Sequence, residues 1–147
     1  MEERTTIEVI MVEPGKRPRI EVMNDSLEAM QKAVGGYIEE YMPFEDDVAL
    51  VCNEEGKMNG MPLNRAVYGE DGQIMDIIAG PFFIAYAPVE SEKFLSMPDD
   101  LRKKYMQEFR NPEQFFMTAG GIRAVPCQPE RNDFERCFSP GISDACL

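Results

Sequence analysis

The sequence predicts an α+β fold with a small mixed or antiparallel sheet, one packed helix and a C-terminal helical extension. Strand-like runs dominate the first ninety residues, a single capped helix interrupts them, and two further helix start signals follow. We therefore divide the chain into an α+β domain at 1–90, a helical extension at 91–125 and a tail at 126–147. The tail has few apolar anchors, so we expect it to be flexible.

The expected strands are runs of β-favouring residues separated by turn chemistry. The first two form a hairpin because Pro14-Gly15 lies between them. Gly80-Pro81 lies between the last two and indicates a bulge or kink inside one long strand. The strands are expected at 6–12, 18–23, 37–42, 47–53, 73–79 and 82–87, whereas residues 61–67 are ambiguous.

Three segments have helix start and stop signals. The first begins with a capping box at Asp25 and ends at Gly35-Gly36, where glycine takes the left-handed conformation that a helix C-terminus favours. The second follows a Ser-Met-Pro-Asp capping signal, and the third begins at Pro112 and ends at Gly120-Gly121. We expect helices at about 25–34, 98–110 and 112–119.

The charge of the chain is unevenly distributed. The net charge is −12, and residues 1–100 hold 21 acidic against 8 basic residues, whereas residues 101–147 hold 6 against 7. Binding to a phosphate backbone needs clustered Lys and Arg, which an acidic domain does not provide. We therefore expect no direct binding to nucleic acid.

The sequence indicates a cytoplasmic protein. The acidic N-terminus lacks the features of a secretory signal, and no apolar run approaches the roughly 20 residues that a membrane span requires. The four cysteines do not cluster at short paired spacings, which favours free thiols in a reducing compartment. We expect no contact with a membrane.

The absence of histidine restricts the possible chemistry. It excludes Ser–His–Asp and Cys–His nucleophile systems and any zinc site with a histidine ligand. There is no C-x-x-C pair for a thiolate metal site and no phosphate- or dinucleotide-binding glycine motif. We expect no catalytic residues, no metal and no cofactor, and we assign structural roles to four glycines: Gly35, Gly36, Gly56 and Gly80.

The densest polar cluster is the candidate binding site. Its residues are Asn53, Glu54, Glu55, Asn64 and Arg65. If the turn at 54–57 and the segment around 64–65 fold together, carboxylates, amides and a guanidinium converge near one end of the sheet. Such a group could bind a polar ligand or a protein partner. The alternative is a solvated hairpin turn whose glutamates only keep the sheet end soluble.

Four blocks of the sequence also resemble a known family. They are L-x-x-M-Q-x-x-V-G-G-x-I-E from Leu27, V-C-N-E-E-G-K from Val51, P-L-N-R from Pro62 and D-I-I-A-G from Asp76. Together they resemble an uncharacterised domain family of Firmicutes phages, conjugative elements and their bacterial hosts. The resemblance covers about 7–87, and partial similarity to an extension of some members reaches about 125. It implies a mobile-element setting and an intracellular address.

The resemblance also strengthens the binding-site hypothesis, because the candidate site residues fall within its blocks. The leading hypothesis is a non-catalytic binding or accessory protein of a mobile genetic element, with a possible counter-defence role, that engages a host protein or a small polar ligand. One alternative is a small enzyme acting on a polar or phosphorylated metabolite, with Glu54 or Glu55 as base and Arg65 as anion clamp. The other is an acidic DNA mimic that occupies the groove of a basic host enzyme.

Overall fold

The computed structural model describes residues 5–128, of which 43% lie in strands and 15% in helices. The helices are α1 (Leu27–Val34) and α2 (Asp99–Glu108). The strands are β1 (Thr6–Val12), β2 (Arg19–Asn24), β3 (Ile38–Tyr41), β4 (Val48–Asn53), β5 (Leu63–Tyr68), β6 (Ile74–Ala79), β7 (Phe82–Tyr86), β8 (Glu113–Thr118) and β9 (Gly121–Pro126). One antiparallel sheet has the order β2-β1-β7-β4-β3, and β5-β6 and β8-β9 form two separate hairpin sheets.

The five-stranded sheet is covered on both faces. Successive residues of β1 point to opposite sides, so that Val9 belongs to the apolar cluster under α1 and Ile10 to the cluster under α2. The β5–β6 hairpin covers the same face as α2, through Val67 and Ile78. Because its central strands are buried on both sides, β4 is apolar along nearly its whole length, as its Val-Ala-Leu-Val-Cys run predicts.

The β1–β2 hairpin closes with a tight turn. The backbone N–H of Lys16 donates to the carbonyl of Glu13 at 3.2 Å, and Gly15 has a φ of 76°. Pro14 at the second position and a left-handed glycine at the third are the residues that a type II turn requires. The predicted hairpin is therefore confirmed.

The first predicted helix is confirmed, with one correction at its start. The N-cap is Ser26 rather than Asp25, and its hydroxyl accepts from the backbone N–H of Ala29 at 3.1 Å. Gly35 ends the helix with a φ of 83° and donates to the carbonyl of Gln31 at 2.8 Å. This left-handed geometry is strained for a residue with a Cβ, which explains glycine at this position.

Helix α2 is confirmed and packs into the larger apolar cluster. Tyr105 and Phe109 are each 2% exposed. The rings of Phe109 and Phe82 pack edge to face, with their centroids 5.4 Å apart. The Tyr105 hydroxyl donates to the carboxylate of Asp46 at 2.7 Å, so the buried phenol has a partner. The segment that starts after residue 90 therefore completes the cluster that lies on the sheet.

The predicted α+β class with a helical extension is wrong. Residues 5–128 are mostly β, with two short helices on opposite faces of one sheet, and the expected helix at 112–119 is the strand β8. Gly120-Gly121 ends no helix but forms the turn of the β8–β9 hairpin. Phe115 is buried against Ala66 of β5 and Ile77 of β6 because this hairpin packs against β5, which a local pattern does not reveal.

The strands predicted in the first ninety residues are confirmed to within one residue at each end. The ambiguous segment at 61–67 contains all of β5 except its last residue, Tyr68. The kink predicted inside one long strand at Gly80-Pro81 is wrong, because the chain leaves the β5–β6 sheet there and enters the five-stranded sheet as β7. The predicted division of the chain at residue 90 stays a prediction, and the predicted tail lies largely outside the described residues.

Candidate functional site

A concave surface lies where the end of β4 meets the turn after it and strand β6. We call it the acidic groove, and its cavity volume is about 180 Å³. Glu39 on β3 lines one part of it, the segment 52–58 a second part, and the segment 76–79 a third part. Glu54 and Glu55 are exposed on this surface, as the sequence-based interpretation of the turn expects.

Asn53 fixes the turn that carries the two glutamates. Its side-chain oxygen accepts from the backbone N–H of Glu55 at 2.7 Å, and its amide nitrogen donates to the carbonyl of Val34 at 3.1 Å. The side chain thus joins the end of α1 to the start of the turn. Asn53 is buried and both of its polar groups are paired, so we assign it to positioning the groove.

Gly56 allows the turn to lie directly on strand β6. A Cβ at this position would be 2.6 Å from the carbonyl oxygen of Ala79, which is backbone and cannot rotate away. Gly36 is similarly close to another part of the site, since a Cβ there would be 2.8 Å from the amide nitrogen of Asn53. Both glycines therefore permit contacts that shape the groove.

The groove has an excess of negative charge. Four carboxylates and one ammonium line it, and Lys57 pairs with Asp76 at 2.8 Å. Within the described part of the chain, no ion pair engages Glu39, Glu54 or Glu55. Three carboxylates therefore face a concave surface without a neutralising cation, which favours a cationic group in the groove.

The negative field extends to two titratable neighbours. Burial, with the charges of Glu39 and Asp76, raises the pKa of the Cys52 thiol to about 11. Burial and the same two carboxylates raise the pKa of the Tyr41 phenol as well. Both side chains stay protonated at neutral pH, so the Cys52 thiol does not supply the thiolate that nucleophilic catalysis needs.

Asn64, which the sequence placed in the candidate cluster, lies in the interior. Its side chain is 0% exposed, and its amide nitrogen donates to the carbonyls of Val12 at 3.0 Å and Gly80 at 2.9 Å. It links the end of β1 to the crossing between two sheets. Gly80 has a φ of 84° at that crossing. Asn64 does not line the acidic groove.

Arg65 is also buried, with 1% of its surface exposed. Its guanidinium donates to the carbonyl of Phe109 at 3.1 and 2.9 Å and to that of Lys16 at 2.6 Å. A fourth bond, at 2.8 Å, reaches the side-chain oxygen of Asn64. Burial lowers the pKa of Arg65 to about 10, although the negative charge of Glu113 acts to raise this pKa. The side chain is therefore still charged at neutral pH.

The structure therefore brings together only part of the candidate cluster. Glu54 and Glu55 share the groove with Asn53, whereas Asn64 and Arg65 hold chain segments together in the interior. The expected convergence is wrong because both interior side chains are saturated by backbone carbonyls and by each other. The glutamate–arginine arrangement required by the enzyme hypothesis does not form.

Sequence reasoning missed two charged side chains of the groove, and it placed Lys57 on the turn without assigning it to the site. Glu39 and Asp76 come from strands, and Lys57 spans from the turn to β6. Glu39 and Asp76 both lie in the sequence blocks that resemble a family, and this was the available signal. Their meeting depends on Glu39 lying opposite Cys52 in the β3–β4 ladder, which the sequence does not specify.

Other predicted features are covered only partly by the described residues. Among 5–128, no group of three or more histidine, cysteine, aspartate or glutamate side chains is arranged to hold a metal ion, and neither helix is long and apolar enough to cross a membrane. Cys52 is a free thiol, but Cys127 is disulfide-bonded, so the expectation of free thiols is wrong at Cys127. Cys137 and Cys146 lie outside the described residues.

Comparison with known proteins gives a family and no relative of known activity. No curated protein and no solved structure matches the chain. The sequence model of one family, described as a domain of unknown function, matches residues 7–110. The match includes every lining residue of the acidic groove and all of helix α2. This chain therefore belongs to the DUF3846 family of domains of unknown function.

Proposed function

We propose that this chain is a non-catalytic binding protein of a mobile genetic element, active in the host cytoplasm, whose acidic groove takes a basic side chain of a host protein. The observation that carries the proposal is the set of three carboxylates, Glu39, Glu54 and Glu55, that line a concavity without an ion-pair partner among the described residues. The mobile-element setting is supported by the sequence blocks, and a counter-defence role is consistent with it.

The size of the groove favours a side-chain head group over a whole ligand. Pockets for cofactors and drug-sized molecules typically enclose about 300–1,000 Å³. The acidic groove encloses about 180 Å³, equivalent to a few water molecules. A guanidinium or ammonium group fits this volume, and its charge complements the surrounding carboxylates.

Catalysis on a phosphorylated metabolite is less well supported. The side chain suggested as the anion clamp, Arg65, lies in the interior, and the groove itself would repel a phosphate. The nearby thiol of Cys52, with a pKa of about 11, is protonated. The groove contains carboxylates for proton transfer but no free cation to hold an anionic substrate.

The proposal is tested by NMR titration with N-acetyl-arginine methylamide. We expect saturable shifts of the backbone amides that line the groove, at Gly56 and Ala79 above all. Exposed ion pairs are worth about 0.2–1 kcal/mol each, so removal of two carboxylates in Glu54→Gln/Glu55→Gln should weaken binding by about 2- to 30-fold. The matched control is Glu70→Gln/Glu90→Gln, which changes the net charge equally at two exposed positions away from the groove.

A neutral isostere separates charge recognition from general binding. N-acetyl-citrulline methylamide has nearly the same shape as the arginine compound but no charge, so it should produce no saturable shifts. Equal responses to the two compounds would contradict the proposal. Equal weakening by the control pair of substitutions would also contradict it, because the binding would then follow net charge.

A further inference from the structure

Strand β3 is an open edge of the five-stranded sheet. On its inner side it pairs with β4, and the backbone N–H of Glu54 donates to the carbonyl of Tyr37 at 2.8 Å. Antiparallel ladders alternate, so this bond directs the backbone groups of Tyr37, Glu39 and Tyr41 toward β4. The backbone groups of Ile38 and Glu40 therefore point outward, and no described backbone group pairs with them.

The two faces of this edge differ in chemistry. Glu39 lies opposite Cys52 and lines the acidic groove, and Tyr41 shares that face. Ile38 and Glu40 lie on the other face, where they line a second concavity of about 440 Å³. We call this second concavity the amphipathic groove. An extended chain added to β3 would place alternate side chains at the two grooves.

The amphipathic groove is lined by both apolar and charged residues. Its apolar lining comes from α1, from β3 and the residue that follows it, and from the segment after β7, and includes Leu27, Met30, Ile38, Met42 and Phe94. Asp25, Glu40 and Glu92 line it together with one lysine, Lys93. Leu27 and Met42 are exposed by 58% and 55%, so apolar surface is available to a partner.

We propose that β3 is a docking edge for an extended segment of a partner protein in which basic and apolar residues alternate. The segment would extend the sheet by one strand, with its basic side chains at the acidic groove and its apolar side chains at the amphipathic groove. This mode of binding draws affinity from backbone hydrogen bonds and specificity from alternate side chains. The inference rests on the proposed function, because it uses the acidic groove as one of the two specificity sites.

The charges on β3 argue against a second copy of this chain as the occupant. If two β3 strands paired across a two-fold axis with the longest overlap, either the two Glu39 side chains or the two Glu40 side chains would lie directly opposite each other. Directly opposed like charges destabilise a strand pair, and the net charge of −12 adds repulsion between copies. A basic partner strand instead places its cations on the face of Glu39, at the acidic groove, and its apolar side chains on the face of Glu40.

The test uses a five-residue acetylated peptide amide, lysine-leucine-arginine-leucine-lysine. Binding should protect the backbone amides of Ile38 and Glu40 from hydrogen exchange and leave those of the opposite edge, β2, unchanged. Methylation of the backbone nitrogens at one alternate set of peptide positions should weaken binding by about tenfold or more, because those N–H groups face β3. Methylation of the other set should have little effect, since those groups face solvent.

The outcomes distinguish this inference from the proposed function. If the peptide and N-acetyl-arginine methylamide both shift the groove amides, but both methylated peptides bind equally and Ile38 stays unprotected, strand addition is refuted and recognition of a basic group stands. If neither compound binds, both proposals fail. A peptide with glutamate in place of lysine and arginine should not bind, and its binding would overturn the charge argument.

Discussion

Replacement of the buried arginine tests the central assignment of the site. Arg65→Met keeps much of the volume of the side chain but removes the guanidinium. Three acceptors would lose hydrogen bonds of 3.1 Å or shorter: the carbonyls of Phe109 and Lys16 and the side-chain oxygen of Asn64. If Arg65 instead belonged to a ligand site, the substitution would leave stability unchanged and affect only binding.

The expected loss follows from two opposing contributions. A buried acceptor left without a donor costs about 1–3 kcal/mol, so three of them cost several kcal/mol. The methionine also removes a buried charge, whose pKa falls from 12.5 to about 10. Such a shift corresponds to a penalty of about 3 kcal/mol, which the variant no longer bears. We expect a net loss of about 3 kcal/mol in the free energy of unfolding.

Urea denaturation followed by far-ultraviolet circular dichroism measures this loss. With a typical denaturant dependence of about 2 kcal/mol per molar urea, the midpoint should fall by about 1.5 M. The control is Arg19→Met, since Arg19 is half exposed and pairs with Glu13 and Glu21 at the surface, where such pairs are worth less than about 1 kcal/mol. A change of less than about 0.5 kcal/mol for Arg65→Met would refute the structural assignment.

Two further predictions concern packing of the turn and alkaline pH. Gly56→Ala should destabilise the fold by about 1–3 kcal/mol and move the turn off β6, because its Cβ meets the carbonyl of Ala79. Gly120→Ala, where a Cβ meets nothing within 4 Å, should change stability little when both variants are compared by urea denaturation, and equal effects would contradict the argument. Burial raises the pKa of Tyr105, and the hydrogen bond to Asp46 and the negative charge of that carboxylate raise it further. The unfolded phenol therefore ionises first, and stability should fall as pH rises above about 10. Tyr105→Phe should reduce the pH dependence measured between pH 9 and 11, and an unchanged slope would exclude this cause.

The strands were predictable from sequence because their signal is local. Alternation of side chains has a period of two, and short runs between turn residues contain it completely. The prediction of a helix at 112–119 was wrong because each of its two sequence signals is compatible with more than one structure. Pro112 can precede a helix or a strand, and Gly120-Gly121 can end a helix or turn a hairpin. The choice was decided by burial of Phe115 against β5, a distant element.

The candidate site was predictable only where it is made by neighbours in sequence. Glu54 and Glu55 follow β4 directly, so their place at the end of the sheet follows from the strand itself. Arg65 takes its acceptors from residues 44 and 49 positions away, at Phe109 and Lys16. A polar side chain beside a turn gives no indication of whether it faces water or distant carbonyls, so the sequence could not assign its role.

The junction at Phe109 sets a limit on where this domain can be divided. A fragment that stopped near residue 90 would lose the carbonyl that receives two donors of Arg65, together with the aromatic contacts under α2. It would expose the part of the sheet that α2 covers and leave a buried cation short of acceptors, both of which disfavour folding. The smallest piece expected to fold alone therefore reaches past Phe109, next to residue 110, where the family match ends.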